Sequence, residues 1–361
     1  MAVFLHHIST AVPKTAYSQT AIGQLMIEHF AGNRKLERLL SRIYRHSGIA
    51  KRHSVIDSLQ TQEESFFYAD KQFKNPGTKE RNDLYTREAK KLFTDVAKKA
   101  LDNSAFSPEE VTHVITVSCT GFFAPGPDYV ILRELGLSSR VERYHLGFMG
   151  CYGAFPALKM AKALCEANPQ AVVLIVCLEF CTLHLQLSDD VDSVVAASVF
   201  ADGAASALVS AKTAGQDSLL ELEHFAADVI PQGEKDMAWT LGNNGFLMVL
   251  SSYVPGLLEA NIKSAVAPLL EKAGISKSDI TRWAIHPGGR AILDKVEKGL
   301  DLCSTSLCAS REVLREYGNM SSATVLFVLE KLMNVPVEKE TIYTAAFGPG
   351  LTVESALLTR N

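Results

Sequence analysis

Cys151 lies in Leu146-Gly147-Phe148-Met149-Gly150-Cys151-Tyr152-Gly153-Ala154, a small, glycine-rich stretch that leads into an apolar helical segment. A thiol at a helix start faces exposed N–H groups and the positive end of the helix dipole, and both favour thiolate over thiol. The flanking glycines let a substrate carbonyl come close to the sulfur. His286 follows the apolar run Trp283-Ala284-Ile285 and precedes Pro287-Gly288-Gly289. A histidine there projects from a strand end, where the sites of α/β proteins form. Asn319, in Tyr317-Gly318-Asn319-Met320-Ser321-Ser322-Ala323, either caps a helix or donates to a ligand. A sulfur nucleophile, an imidazole beside it and a carboxamide suit acyl transfer through a thioester. In that chemistry His286 and Asn319 donate hydrogen bonds to an oxyanion or enolate. His6, His7, His53 and His224 read instead as surface histidines.

The elements that must position these groups alternate between strand and helix. Residues 82–102 place Tyr85, Ala89, Leu92, Phe93, Val96, Ala97 and Ala100 on one helical face, while residues 114–117 and 171–176 read as buried strands. A helix at about 153–168 ends before Pro169. This alternation predicts an α/β fold with its sheet covered on both faces. A weak internal repeat goes further. The run from Ser107 to Val117 can be laid over the run from Ser276 to His286, each after an amphipathic helix (82–102, and about 257–273) and each entering an apolar strand. From Thr112 to Cys151 is 39 residues and from Thr281 to Asn319 is 38, and an apolar helix follows each. A duplication is therefore expected, with Cys151 and Asn319 at equivalent helix N-termini and a boundary in the polar segment 212–218.

Composition narrows the class. Of 361 residues, 36 are Lys or Arg and 40 are Asp or Glu, a formal charge of −4 that lacks the broad positive field non-specific nucleic-acid binding needs. The longest apolar run, residues 171–178, is far short of a membrane span. The apolar N-terminal stretch is too short for a signal peptide. Seven cysteines, an odd number, argue against a disulfide framework and for a cytoplasmic enzyme. Cys177/Cys181 and Cys303/Cys308 have zinc-like spacings without a second ligand pair, so no metal is expected. Phe347-Gly348-Pro349-Gly350 lacks the residues of a phosphate loop. Between 34 and 53 there are seven Lys or Arg and one acid, Glu37, with Arg38, Arg42 and Arg45 on one helical face. That stripe fits the phosphates of a coenzyme A nucleotide.

Trp283-Ala284-Ile285-His286-Pro287-Gly288-Gly289, Tyr317-Gly318-Asn319-Met320-Ser321-Ser322-Ala323 and Ala346-Phe347-Gly348-Pro349-Gly350-Leu351-Thr352-Val353-Glu354 together resemble the type III polyketide synthases, the chalcone synthase-like branch of the thiolase superfamily. Papain-like proteases share the order Cys, His, Asn, but they carry the Cys near the mature N-terminus in a different context. The resemblance implies a homodimer with a thiolase-like αβαβα layered fold of two duplicated halves: 1–214 with the nucleophile, and 215–361 with His286 and Asn319. It implies acyl loading of Cys151 from an acyl-CoA starter, decarboxylation of malonyl-CoA beside His286 and Asn319, repeated condensation and cyclisation. No acyl carrier protein and no cofactor beyond the CoA thioester substrates are implied. Phe200 and Met248 correspond to the family's gatekeepers, with Phe246 the alternative to Met248. Cys119, Cys181 and His184 stand where threonine is common and would line the starter pocket. Arg42, Arg45 and Ala291 would contact CoA, while Leu39 and His46 replace expected lysines. These departures favour an aliphatic starter and an alkylresorcinol or alkylpyrone product. A single-condensation ketoacyl synthase III and a non-catalytic acyl-CoA binder are the alternatives.

Overall fold

The computed structural model describes residues 1–58, 65–69, 72–213, 219–335 and 337–360. Among the described residues, nine strands form one hydrogen-bonded sheet, in the order Arg282–Ile285, Glu340–Gly348, Thr352–Arg360, Leu220–Val229, Phe4–Ala11, Asp202–Ser210, Val172–Phe180, His113–Ser118 and Glu142–Gly147. Phe4–Ala11 pairs with Leu220–Val229 at the centre, and the pairing pattern repeats outward from there. On one side His113–Ser118 runs parallel to Val172–Phe180, which is antiparallel to Asp202–Ser210. On the other, Arg282–Ile285 runs parallel to Glu340–Gly348, which is antiparallel to Thr352–Arg360.

The repeat extends to individual hydrogen bonds. Pro108–Glu110 and Lys277–Asp279 are single helical turns, each closed by the acid reaching back to the preceding serine: Ser107 N–H donates to Glu110 Oε2 at 3.0 Å, and Ser276 N–H to Asp279 Oδ2 at 2.7 Å. Thr112 Oγ1 donates to the Val172 carbonyl at 3.1 Å, and Thr281 Oγ1 to the Thr341 carbonyl at 3.0 Å. The short match between 107–117 and 276–286 is thus a match of turn chemistry. The expected boundary between 214 and 215 lies outside the described residues.

Side-chain alternation along the strands separates three apolar clusters. Ile115, Val117, Val173, Ile175, Ala284, Ile342 and Ala346 face a central layer made by the helices Ala154–Ala167 and Thr324–Met333. Val114, Val172, Leu174 and Val176 face the outer helix Thr78–Asp102. Trp283, Ile285, Tyr343 and Ala345 face Val254–Ala273 and Arg290–Gly299 on the opposite outside. The two halves of the sheet therefore form separate layers, and the order reads helix, half-sheet, helix, half-sheet, helix. The two central helices begin side by side at the middle of the molecule, where the two halves present their turns to each other.

Candidate active site

The nucleophile turn is a tight one. Gly150 adopts φ +76°, a left-handed conformation, and Gly150–Tyr152 forms one turn before the helix Ala154–Ala167. A Cβ on Gly150 would meet the Pro349 ring at 2.3 Å, and one on Gly348 would meet the Tyr152 ring at 2.4 Å. The Gly348-Pro349-Gly350 segment thus buttresses the Cys151 turn from the other half. Gly150→Ala is expected to lose about 1–2 kcal/mol from the left-handed backbone alone, with the methyl also pressing on Pro349. A lowered melting temperature and slower acyl loading would show this; wild-type values would mean that the turn relaxes freely.

His286 follows the strand Arg282–Ile285 and is held by its backbone, its N–H donating to the Ala345 carbonyl at 2.8 Å. Its ring is buried, and neither nitrogen has a partner among the described residues. The peptide of Asn319 is stitched to the segment that carries Phe200, with Asn319 N–H donating to Val199 O at 2.9 Å and Ala201 N–H to Asn319 O at 2.8 Å. Its carboxamide does two things at once. Oδ1 accepts the Ser321 N–H at 2.9 Å, as a cap would, and Nδ2 points to Gly288 O at 3.3 Å and Cys151 Sγ at 3.9 Å. Counted back from the helix Thr324–Met333, Ser321 rather than Asn319 is in register with Cys151. The expected equivalence therefore holds for the turns, and Asn319 stands two residues ahead of strict register.

Electrostatics correct one expectation. Burial pushes the Cys151 thiol up to about 11, against hydrogen bonds from Ser321 and Asn319 that pull it down, and the nearby Glu179 carboxylate adds to the rise. Desolvation outweighs the helix start. Burial likewise holds His286 down to about 3. The resting site is a thiol beside a neutral imidazole. Charge on either group there would be favourable only beside an opposite charge.

Cys151, His286 and Asn319 share one mainly apolar cavity, and Phe200, Met248, Cys119, Cys181 and His184 line it as well. Met248 stands on the hairpin Met237–Gly242/Gly245–Leu250, paired with Trp239, whose side chain also faces the cavity. Phe246 is instead buried in an aromatic cluster, stacked on His184 at 4.2 Å, whereas Met248 lines the cavity. His184 has both nitrogens engaged: Nε2 lies 2.7 Å from the Thr120 carbonyl, and Nδ1 accepts the Phe246 N–H at 3.0 Å. That fixes one neutral tautomer, and burial holds its pKa at about 3. Cys119 is less free than expected, because its Sγ accepts the Gly150 N–H at 3.0 Å.

The cavity continues to the helix Gln19–His29, where Ile22, Leu25 and Met26 line it together with Tyr17. Nothing in the sequence links that helix to Cys151. His53, read as a surface residue, lines the same space from the strand Lys51–Ser54, and His6 is buried in the central strand. Outside, Arg38, Arg42, Arg45 and His46 from the helix Arg34–His46 line one shallow depression, and Arg42, His46, Arg290, Ala291 and Asp294 line a second. Arg290, at the start of Arg290–Gly299, was not anticipated, although its place after Gly288-Gly289 signalled a helix N-terminus. Among the described residues no group of His, Cys, Asp and Glu could hold a metal ion, and no helix is long and apolar enough to cross a membrane.

Comparison with known proteins agrees with this geometry. The family described as chalcone and stilbene synthases matches through its N-terminal domain over residues 2–213 and its C-terminal domain over residues 221–360. The alpha-pyrone synthesis polyketide synthase-like Pks18 of Mycobacterium tuberculosis is 31% identical over 358 residues, 97% of this chain and 89% of that protein. Among solved structures, PKS-I from the brown alga Ectocarpus siliculosus superposes with a TM-score of 0.93 at 27% identity, covering 100% of this chain and 98% of that one. The 1,3,6,8-tetrahydroxynaphthalene synthase of Streptomyces coelicolor, a bacterial type III polyketide synthase, superposes with a TM-score of 0.88 at 29% identity, covering 99% of both chains. Two half-length matches that together span nearly the whole chain, with a thiol, an imidazole and a carboxamide brought to one cavity, leave one reading: the chain belongs to the chalcone and stilbene synthase family and is a type III polyketide synthase.

Proposed function

We propose that the protein extends an aliphatic acyl-CoA starter with malonyl-CoA and releases an alkylpyrone. Cys151 attacks the starter thioester, its proton passes to His286, and the CoA thiolate leaves and takes that proton. Malonyl-CoA then loses CO2, and its bond electrons become an enolate whose oxygen accepts hydrogen bonds from His286 and Asn319. The enolate carbon attacks the acyl carbonyl, and the Cys151 thiolate departs, ready for the extended chain. CoA phosphates meet the Arg42, Arg45 and Ala291 side of the molecule. No acyl carrier protein and no further cofactor take part in this reading.

The observation that carries the aliphatic starter is the arm of apolar lining that Tyr17, Ile22, Leu25 and Met26 add to the cavity that holds Cys151, Cys181 and His184. With both its nitrogens engaged, the His184 ring supplies no free polar group to orient a phenolic starter. The alpha-pyrone synthesis named for the mycobacterial relative supports the pyrone over the resorcinol. A homodimer fits the free edge of Glu142–Gly147, near which Phe122, Tyr129 and Phe148 are exposed. Seven unpaired cysteines fit a cytoplasmic setting.

Incubation with labelled malonyl-CoA and a panel of acyl-CoA starters, read by mass spectrometry, tests the reading. Each methylene buried in the arm contributes about 0.8 kcal/mol, so kcat/KM should rise about fourfold per carbon until the arm is full. Filling it with Leu25→Trp should cut kcat/KM for long starters at least about tenfold and spare acetyl-CoA. A preference for aromatic starters, or a Leu25→Trp enzyme with unchanged chain-length dependence, would refute the arm. A single condensation without cyclisation would favour the ketoacyl synthase alternative.

A further inference from the structure

Glu179 is fully buried near the end of the strand Val172–Phe180, and no step above uses it. Its carboxylate gathers donors from both halves of the molecule. Oε2 accepts the Cys119 N–H at 2.9 Å and the Thr120 hydroxyl at 2.8 Å, and Oε1 accepts the Ser322 hydroxyl at 2.5 Å. Cys119 passes the first link on, its Sγ accepting the N–H of Gly150, the residue before the nucleophile. Ser322 follows Ser321, whose N–H donates to Asn319 Oδ1.

We propose that Glu179 is a positioning residue that, acting through the Cys119 thiol and the Ser322 hydroxyl, holds the Cys151 turn and the Asn319 turn in register. An isolated carboxylate costs several kcal/mol to bury, whereas a well-packed apolar side chain in its place would cost nothing of the kind. A carboxylate does what no such side chain can: with acceptor sites only, it receives several donors at once and fixes their directions. Here one donor, Ser322, belongs to the Asn319 turn, and the segment that supplies the other two, Cys119 and Thr120, holds the Cys151 turn through the Gly150 N–H. Displacing a reacting group by about 1 Å costs on the order of 100-fold in rate, so a tie of this kind is felt in catalysis more than in binding. The thiol of Cys119 thus works on the turn rather than on the starter.

The proposal rests on the roles given above to Cys151 and Asn319, and the wild-type protein serves as the control for those roles. Acyl loading of Cys151 and malonyl-CoA decarboxylation are measured separately at saturating substrate, by intact mass and by CO2 release. Cys119→Ala should slow loading at least about tenfold with little change in the acyl-CoA concentration for half-maximal rate, and Cys119→Ser, which restores an acceptor, should recover to within about threefold. Glu179→Ala should slow both half-reactions, and Glu179→Gln should recover both, because its amide oxygen can keep the Cys119 and Thr120 donors while its NH2 donates to Ser322. If Cys119→Ala loads at the wild-type rate, or Cys119→Ser loads no faster than Cys119→Ala, the proposal is wrong. It is equally wrong if a folded Glu179→Ala keeps both rates; should that variant fail to fold, the Cys119 pair decides alone. Failure of the wild-type protein to load Cys151 would overturn the underlying assignment instead.

Discussion

Replacing Cys151 by alanine is expected to leave no covalent acyl-enzyme and to lower polyketide formation by roughly 10⁴-fold or more, the scale seen when a catalytic nucleophile is removed. Decarboxylation of malonyl-CoA should persist at a measurable rate, because His286 and Asn319 still face the cavity. Two other thiols line the same cavity, so the experiment has force only if neither can substitute. The Cys119 sulfur already accepts the Gly150 N–H, and burial raises its thiol and that of Cys181 well above the ordinary range. Cys151 is the least perturbed of the three, held lower by Ser321 and Asn319. Peptide mapping of the alanine variant after incubation with acyl-CoA should therefore find Cys119 and Cys181 unmodified. An acyl adduct on either, with turnover retained, would move the nucleophile.

The thiol is activated by company rather than by its own pKa. A lone thiolate in this cavity would be a buried charge without compensation, and a lone imidazolium at His286 would be the same with opposite sign. In the proposed loading step each offsets the cost of the other, so proton transfer and attack on the thioester are expected to occur together. The apolar cavity that suits an alkyl chain thereby also keeps the resting thiol protonated and shields it from adventitious oxidants, which attack thiolates.

Much of this arrangement was legible in the sequence, and the particular elements show why. Serine three residues before an acid, then an apolar run, occurs at 107–117 and again at 276–286, and in the structure each is the same closed turn feeding the same parallel strand. Local chemistry was enough to find the duplication and, through it, the two turns that hold Cys151 and Asn319. The dipole argument for Cys151 was equally local, and it failed because desolvation depends on what the rest of the chain packs around the sulfur. The arm formed by Tyr17, Ile22, Leu25 and Met26 is purely tertiary: more than 120 residues separate it from the nucleophile. Glu179 was different. A single acid in an otherwise apolar strand is costly to bury and marks a site, and Glu179 stands directly after the apolar run that ends at Leu178.

Asn319→Ala and Asn319→Asp separate the two jobs of the carboxamide. Losing the donor should slow malonyl-CoA decarboxylation by roughly 10²–10³-fold, the range for removing one preorganised donor from an oxyanion site, while acyl loading stays within about tenfold. The asymmetry follows from where charge develops: decarboxylation places a full negative charge on the thioester oxygen, whereas loading depends first on the proton taken by His286. A defect in folding would hit both steps equally. The aspartate variant sharpens the contrast, because its carboxylate can still accept the Ser321 N–H that Oδ1 holds at 2.9 Å, keeping the turn capped. It offers no N–H where Nδ2 stood and places a negative charge beside the forming enolate, so its decarboxylation should fall at least as far as in the alanine variant with its melting temperature preserved. Decarboxylation at the wild-type rate in the aspartate variant would reduce Asn319 to a helix cap and leave His286 as the sole donor to the enolate.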